Sequence, residues 1–273
     1  MKQSHRVLML VPGVLALALA VGFYLQLSWV KALWPWQDSY LSYIFLSSYA
    51  AAIGGAIIWV ALSGSLAAAR GGIINLGVAT AGMAFSSFQF YQTEHTRGIL
   101  VLSGFCLAAI LGFLVFFWLI RRVPLRDARP IPLLVRISFG VFIAALIFTS
   151  TELILKIPVF PWSLRPETSV LFGWAFVGAA CYFLYALFRP RWDNAGGQLL
   201  GFLLYDLVLI VPFVARIPTI DSSHALSLTV YIIVLVYSGA LAIYYLFFNK
   251  STRRWESALT ASNQEEVARL AAR

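Results

Sequence analysis

The sequence predicts an all-α integral membrane protein with eight transmembrane helices, arranged as two parallel four-helix repeats. Composition supports this fold class, because 61% of the 273 residues are hydrophobic and only 11% are charged. Soluble domains average about 45–50% apolar and about 25% charged residues. The apolar residues also occur in runs of about 20, the length that a helix needs to cross a bilayer. We therefore expect the lipid bilayer to be the main partner of the chain.

Eight apolar runs are candidate spans, and each is too continuously apolar to be a strand of a membrane β-barrel. The first run follows a basic N-terminus and ends in Ala-Leu-Ala, which is also typical of a cleaved signal peptide. We expect a retained helix, because the apolar stretch continues through Leu27. The eight spans are predicted at residues 7–29, 40–63, 72–91, 98–120, 133–155, 168–188, 197–215 and 226–248.

The distribution of Lys and Arg predicts both termini on the cytoplasmic side of the plasma (inner) membrane. With the N-terminus inside, 14 of the 20 basic residues fall in inner segments and five in outer loops, while Arg136 lies within a span. This bias is the positive-inside rule. The net charge of +9 is divided among short clusters between spans, which argues against a nucleic-acid partner.

Two dipeptides that recur along the chain predict an internal duplication. Pro-Trp recurs after 126 residues and Gly-Gly after 125, at Pro35-Trp36, Pro161-Trp162, Gly71-Gly72 and Gly196-Gly197. An even number of spans in each half gives both halves the same orientation, as in transporters with parallel repeats. We expect a first repeat, a basic Pro-rich inner linker, a second repeat and a cytoplasmic tail able to form a short surface helix, at residues 1–122, 123–132, 133–250 and 251–273.

Asp206 is the residue that most suggests a function. It lies in the seventh predicted span with about nine residues to either end, which places it roughly 13–14 Å from either face. A carboxyl group at this depth costs about 2.5–3.5 kcal/mol on insertion scales and marks a functional site by default. We predict a buried protonatable or cation-binding group in a transport pathway. The alternative is a structural acid that is hydrogen-bonded to a neighbouring helix.

Four further polar residues in or beside spans are candidates for the same pathway. Arg136 and Glu152 share the fifth span but lie about 24 Å apart along a helix, so they cannot pair. Arg136 can extend to the basic inner loop. Glu152 can pair with Lys156, or form a polar mouth of a central cavity with Gln26, its match in the direct alignment of the halves. Asn75, near the inner end of the third span, can hydrogen-bond across helices.

The remaining candidates are aromatic residues and histidines near the outer face. Trp34, Trp36 and Trp162 are expected to be interface anchors. His95 and His224 lie in outer loops with acids nearby, and they can form a zinc site only if those loops meet. The spacing matches no metal signature, so we expect solvated loops without a bound metal.

Motifs of catalysis are absent from the sequence, which contains no HExxH, GxSxG or serine-lysine pairing. We therefore expect neither an enzyme nor a cofactor. The leading hypothesis is a small-solute or ion transporter, or a permease component, with Asp206 as its buried acid. The alternative is a non-transporting scaffold or partner subunit of a membrane complex, and a lipid-face enzyme is the least favoured class. A homo-oligomer is compatible with each, and the substrate is not specified by the sequence.

Overall fold

The computed structural model describes residues 3–253, and this part of the chain contains only helices and their connections. The all-α prediction is therefore confirmed for the described residues. The surface helix predicted in the C-terminal tail lies at residues outside this range. The described helices are α1 (Gln3–Tyr24), α2 (Ser28–Lys31), α3 (Tyr40–Ser63), α4 (Ala69–Glu94), α5 (Arg97–Ile120), α6 (Leu133–Ile154), α7 (Pro166–Phe188), α8 (Trp192–Arg216) and α9 (Ser222–Ile243).

Seven helical segments within residues 3–253 are long and apolar enough to cross a membrane, each built on one of the helices α3 to α9. Their limits lie close to those of the predicted spans. Helix α1 carries a shorter apolar stretch, Met9–Tyr24. Large apolar side chains such as Val101, Phe105 and Leu111 are exposed on α5, which suits contact with lipid. This composition is that of a multi-pass membrane protein.

The first helix ends earlier than predicted because the chain turns back on itself. Helix α1 ends at Tyr24, and Gln26 has a φ of 57°, in the left-handed region. The following helix α2 places Val30, which is fully buried, against Gly22. A Cβ atom at position 22 would lie 2.4 Å from Val30 Cγ2, so this contact requires glycine. The apolar residues after Tyr24 therefore cover the end of α1 rather than extend it.

The helices form two rows that face each other. In one row α1, α3, α8 and α9 pack side by side, and in the other α5, α4, α7 and α6 do so. Narrower contacts of α4 with α3 and α8, and of α7 with α8, join the rows. Two large apolar clusters lie inside the bundle, one around Phe139, Phe183 and Trp192 and the other around Phe45 and Phe160.

Two tryptophan rings lie directly on glycine residues of a facing helix. Trp174 of α7 covers Gly82 of α4, and Trp59 of α3 covers Gly196 of α8. A Cβ atom would lie 1.9 Å from the Trp174 ring at position 82 and 2.0 Å from the Trp59 ring at position 196. Helices in a bilayer associate through close packing of this kind, because lipid chains are as apolar as the side chains.

The connection between α5 and α6 is fastened to the start of α8. Asp193, which is 1% exposed, accepts hydrogen bonds from the backbone N–H groups of Arg126 and Asp127, both at 2.9 Å. The backbone N–H group of Trp192 donates a hydrogen bond to the carbonyl oxygen of Arg129 at 2.8 Å. Each buried backbone donor would cost free energy without such a partner. The segment that the sequence marks as a linker is thus a strap held by α8.

We expect Gly82→Ala to destabilise the protein, because the added methyl group meets the Trp174 indole ring. Overpacking of this kind costs about 1–3 kcal/mol. Gly112→Ala on α5 is the matched control, because nothing lies within 4 Å of a Cβ atom there. The midpoints of thermal unfolding in detergent measure both effects. Equal midpoints for the two variants would contradict the close packing of Trp174.

We expect Asp193→Ala to free the strap, because two backbone N–H groups lose their acceptor. Trypsin should then cleave after Arg122 and Arg126 several-fold faster than in the parent protein. Asp221→Ala is the control, since the Asp221 side chain makes no capping hydrogen bond at the start of α9. Rates are read from the loss of the full-length band. Unchanged cleavage in Asp193→Ala would argue that other contacts hold the strap.

Candidate functional site

A cavity of about 260 Å³ lies between the two rows of helices. Residues of α1, α3, α4, α5, α6, α7 and α8 line it, so both halves of the chain contribute to its wall. Most of these side chains are apolar, including Phe45, Ile73, Leu146 and Phe176. A mostly apolar cavity of this kind is the default candidate for a binding site in the bundle.

A few polar groups stand out in the apolar wall of this cavity. The Tyr49 hydroxyl and the Asn75 Oδ1 atom are buried and have no hydrogen-bond partner in the described part of the chain. Gln198, on α8, also lines the cavity and is 7% exposed. Buried polar atoms without partners are costly and call for a ligand or water. The wall can therefore receive an apolar molecule that carries one or two hydrogen-bonding groups.

Helices α1 and α5 border one side of the cavity. Met9 and Pro12 of α1 and Phe113 of α5 belong to its wall, and these two helices do not pack along each other. The far side of the bundle differs, because the hydroxyl groups of Ser138 on α6 and Tyr237 on α9 are hydrogen-bonded at 2.7 Å. Exposed side chains on this side are apolar and include Val11 and Leu15 of α1 and Leu111 and Leu114 of α5.

Asp206 lies in the contact between α8 and α9 and does not line the cavity. Its carboxyl group is 4% exposed, and its Oδ2 accepts a hydrogen bond of 2.8 Å from the Ser238 hydroxyl. Its Oδ1 has no partner among the described residues. The hydroxyl groups of Tyr205 and Tyr231 join the same two helices through a hydrogen bond. The surroundings of Asp206 match those expected of an acid that ties two helices together.

The other predicted polar residues are spread over the structure, and among them only Asn75 lines the cavity. Gln26 folds back on α1, where its Nε2 donates to the carbonyl oxygen of Phe23 at 2.9 Å. Arg136 is exposed near the start of α6, and Glu152 is half-buried in its last turn. The structure therefore does not bring Gln26, Arg136, Glu152 and Asp206 together around one cavity.

The backbone places Gln26 and Glu152, which match in the direct alignment, at different positions relative to their helices. Gln26 is the second residue after α1 and has a φ of 57°, whereas Lys156 is the second residue after α6 and has a φ of 63°. By position after the helix, Gln26 therefore corresponds to Lys156. The first half contains the extra four-residue helix α2 after this turn. An alignment without gaps cannot reveal this insertion, because the proline and tryptophan that follow restore the match.

Of the three tryptophans predicted to be anchors at the membrane interface, two have rings that lie inside the protein. Trp36 is 5% exposed and Trp162 is 7% exposed, while Trp34 is half-buried. Each indole N–H has a partner in the protein: Trp34 donates to Asp38 at 2.8 Å and Trp162 donates to Ser42 at 3.2 Å. The rings are buried because these polar partners remove the need for water at the indole nitrogen.

Asp38 is a residue whose role the sequence did not suggest. Its Oδ2 accepts hydrogen bonds from Trp34 Nε1 and from the Thr168 hydroxyl in the first turn of α7. A second acid, Glu94, accepts a hydrogen bond from Trp36 Nε1 at 3.4 Å. These carboxyl groups hold the Pro-Trp segment to the ends of α4 and α7. The only sign of the role of Asp38 in the sequence was its position two residues after the Pro-Trp pair.

The histidines show no sign of a metal centre. His95 ends α4 in a left-handed conformation, and His224 Nδ1 lies 3.1 Å from the Ser223 hydroxyl. Among residues 3–253 there is no group of three or more His, Cys, Asp or Glu side chains that could hold a metal ion.

No protein-family model, curated protein or solved structure matches this chain.

We expect Asp206 and Ser238 to be energetically coupled. A double-mutant cycle with Asp206→Leu and Ser238→Ala should give a coupling energy of about 0.6–1.7 kcal/mol, the range for hydrogen bonds between membrane helices. Ser150→Ala is the control, because the Ser150 hydroxyl bonds only within its own helix at 2.9 Å. The free energy of unfolding of each variant in the cycle is measured in detergent with added denaturant. Additive effects of Asp206→Leu and Ser238→Ala would contradict the helix-tying role.

Proposed function

We propose that the chain crosses the plasma membrane eight times, with both termini in the cytoplasm. Helix α1, at 22 residues, is long enough to be the eighth span. The division of Lys and Arg between the two sides favours this orientation. The proposed units are those of the sequence: repeats at 1–122 and 133–250, joined by 123–132 and followed by the tail 251–273.

We further propose that the two halves are structural repeats. If α1, α3, α4 and α5 correspond to α6, α7, α8 and α9, every helix pair that packs closely in one half has its counterpart in the other. The close crossings correspond too. Gly55 of α3 lies against the carbonyl oxygen of Leu200, and Gly178 of α7 lies against that of Asn75, 125 residues earlier than Leu200. Two equivalent crossings at glycine are a stronger sign of duplication than matched apolar residues.

We propose that the protein is a membrane carrier whose substrate occupies the cavity between the two repeats. The observation that carries this proposal is the wall of the cavity: residues of both halves line it, so it lies against the seam between them, and α1 and α5 of the first half border it. Parallel-repeat transporters place their substrate sites at the same kind of seam. The substrate would reach the site from the bilayer and would be largely apolar.

The carrier proposed here differs from an ion-coupled transporter in the role of Asp206. That acid lies off the cavity and bonds Ser238, so we assign it to holding α8 against α9. Coupling to protons or cations through Asp206 stays a prediction of the sequence. We propose no catalytic activity, because the outer acids Asp38 and Glu94 accept hydrogen bonds from tryptophan rings.

A non-transporting scaffold is the second candidate function. The bond between Asp206 and Ser238 favours it, because a buried acid used for helix packing needs no transport pathway. A membrane partner subunit or a second copy of this chain would then cover the exposed helices. Under this alternative the cavity is a packing defect of the bundle.

The test is the transfer of a chain-labelled fluorescent phosphatidylglycerol between the leaflets of proteoliposomes, followed by quenching with dithionite. We expect the parent protein to bring the label of the inner leaflet to the outer leaflet, where dithionite quenches it. We expect Ala56→Trp to slow this transfer at least tenfold, because the indole ring fills the cavity. Ala108→Trp, on the exposed face of α5, is the matched control and should behave as the parent protein does.

Two results would contradict the carrier. One is an absence of transfer by correctly folded parent protein, and this would favour the scaffold if a stable partner also copurifies. The other is transfer at the parent rate in Ala56→Trp, since the pathway would then avoid the cavity.

A further inference from the structure

A second cavity, of about 480 Å³, lies where α4 and α8 begin and where α5 and α7 end. It is lined by four arginines, and no aspartate or glutamate is among its lining residues in the described chain. The arginines are Arg70, Arg121, Arg189 and Arg191. We refer to this cavity as the arginine pocket. So many guanidinium groups at one concave surface without an acid point to an anionic ligand.

The guanidinium groups are held by neutral partners, so their charges stay uncompensated. Arg70 donates from Nε and Nη2 to the carbonyl oxygen of Ile120, at 3.2 and 2.9 Å, and from Nη2 to that of Val123. Arg191 donates from Nη1 to a backbone carbonyl at 2.9 Å, and Arg121 lies 5.0 Å from the centre of the Trp118 ring. These contacts fix three of the cations without neutralising them.

The nearest acids along the chain are already engaged elsewhere. Asp127 forms an ion pair with Arg129 at 2.6 Å, and Asp193 accepts the backbone N–H groups of the strap. The Arg189 side chain is exposed and has no ion pair or hydrogen bond among the described residues. The pocket therefore offers free donors to an anion, and bidentate hydrogen bonds to phosphate oxygens are the strongest contact that arginine makes.

The arginine pocket follows directly on the apolar cavity along the same helices. Phe113 and Phe116 of α5 line the apolar cavity. Phe117 of the same helix and Arg121, the residue that follows its end, line the arginine pocket. Helices α4, α7 and α8 likewise contribute residues to both. From Phe113 to Arg121 the rise along a helix is about 12 Å. A molecule with an apolar chain and an anionic head spans such a distance.

We propose that the arginine pocket binds the phosphate headgroup of an anionic lipid whose chain lies in the apolar cavity. This rests on the proposed carrier function and names the class of its substrate. A lipid fits better than a soluble phosphate compound for two reasons. The apolar cavity is bordered by α1 and α5, whose exposed side chains include many large apolar ones, and its wall has few polar groups for a hydrophilic molecule.

The test measures binding of a fluorescent phosphatidic acid to the full-length protein in detergent micelles. We expect the double variant Arg121→Gln, Arg189→Gln to raise Kd at least tenfold, and Arg189→Gln alone to raise it about threefold, because charge-assisted hydrogen bonds are lost. Arg122→Gln is the matched control: it removes the same charge from the same connection outside the pocket, and its Kd should stay within about twofold. Phosphatidylcholine with the same chains should bind at least tenfold more weakly than phosphatidic acid.

Three outcomes would overturn the lipid headgroup site. Equal weakening by Arg122→Gln would assign the effect to general surface charge. Equal affinity for phosphatidylcholine would remove the role of the anionic head. Displacement of the lipid by inorganic phosphate or glycerol 3-phosphate at the same concentration as by unlabelled phosphatidic acid would assign the pocket to soluble anions.

Failure of the headgroup site can be distinguished from failure of the carrier. If Ala56→Trp blocks lipid transfer while the arginine variants bind phosphatidic acid normally, the carrier stands and the headgroup site fails. If the arginine variants lose binding while the parent protein transfers no lipid, the headgroup site stands and the carrier fails. The exposed Arg189 side chain makes its substitution compatible with folding, which an unchanged thermal midpoint checks.

Discussion

The contact of helix backbones at glycine residues is the constraint on which this bundle depends. Within a bilayer, helices gain little from hiding apolar surface, so they associate where their backbones come close. At position 178 a Cβ atom would lie 2.4 Å from the carbonyl oxygen of Asn75, and at position 201 it would lie 2.9 Å from that of Ala52. These crossings join α4 to α7 and α3 to α8. Each crossing closes one row at its middle, whereas the two rows meet only through narrower contacts, and the central cavity lies between them.

Polar groups contribute to the same bundle by joining helices pair by pair. Asp206 reaches Ser238 across the contact of α8 with α9. Asp38 holds the Pro-Trp segment to α7, and Asp193 holds the strap to α8. Each of these acids has donors within reach, which is what makes its burial or partial burial tolerable. The arginines of the arginine pocket differ from these acids, because their partners are neutral and leave positive charge facing a cavity.

Most of the fold could be predicted from the sequence, whereas most of the site could not. Runs of apolar residues fix where α3 to α9 lie, since crossing length depends only on composition along the chain. The end of α1 at Tyr24 was missed, because it depends on the contact of Val30 with Gly22. Asp206 was identified as buried, but its partner depends on which helix faces α8. The arginines were interpreted as an orientation signal, and only their convergence from separate connections reveals a pocket.

The strap between α5 and α6 has a consequence for how the two halves can move. Val123 of the strap is held by Arg70, on α4, and Arg126 and Asp127 are held by Asp193, on α8. Among the described residues, Pro124 and Leu125 take part in no hydrogen bond to either side. Within this connection, a rotation of one half against the other would therefore have to be taken up at this dipeptide. Proline restricts its own φ angle, and Leu125 lines the arginine pocket, so a change of backbone at this dipeptide would also change the wall of that pocket.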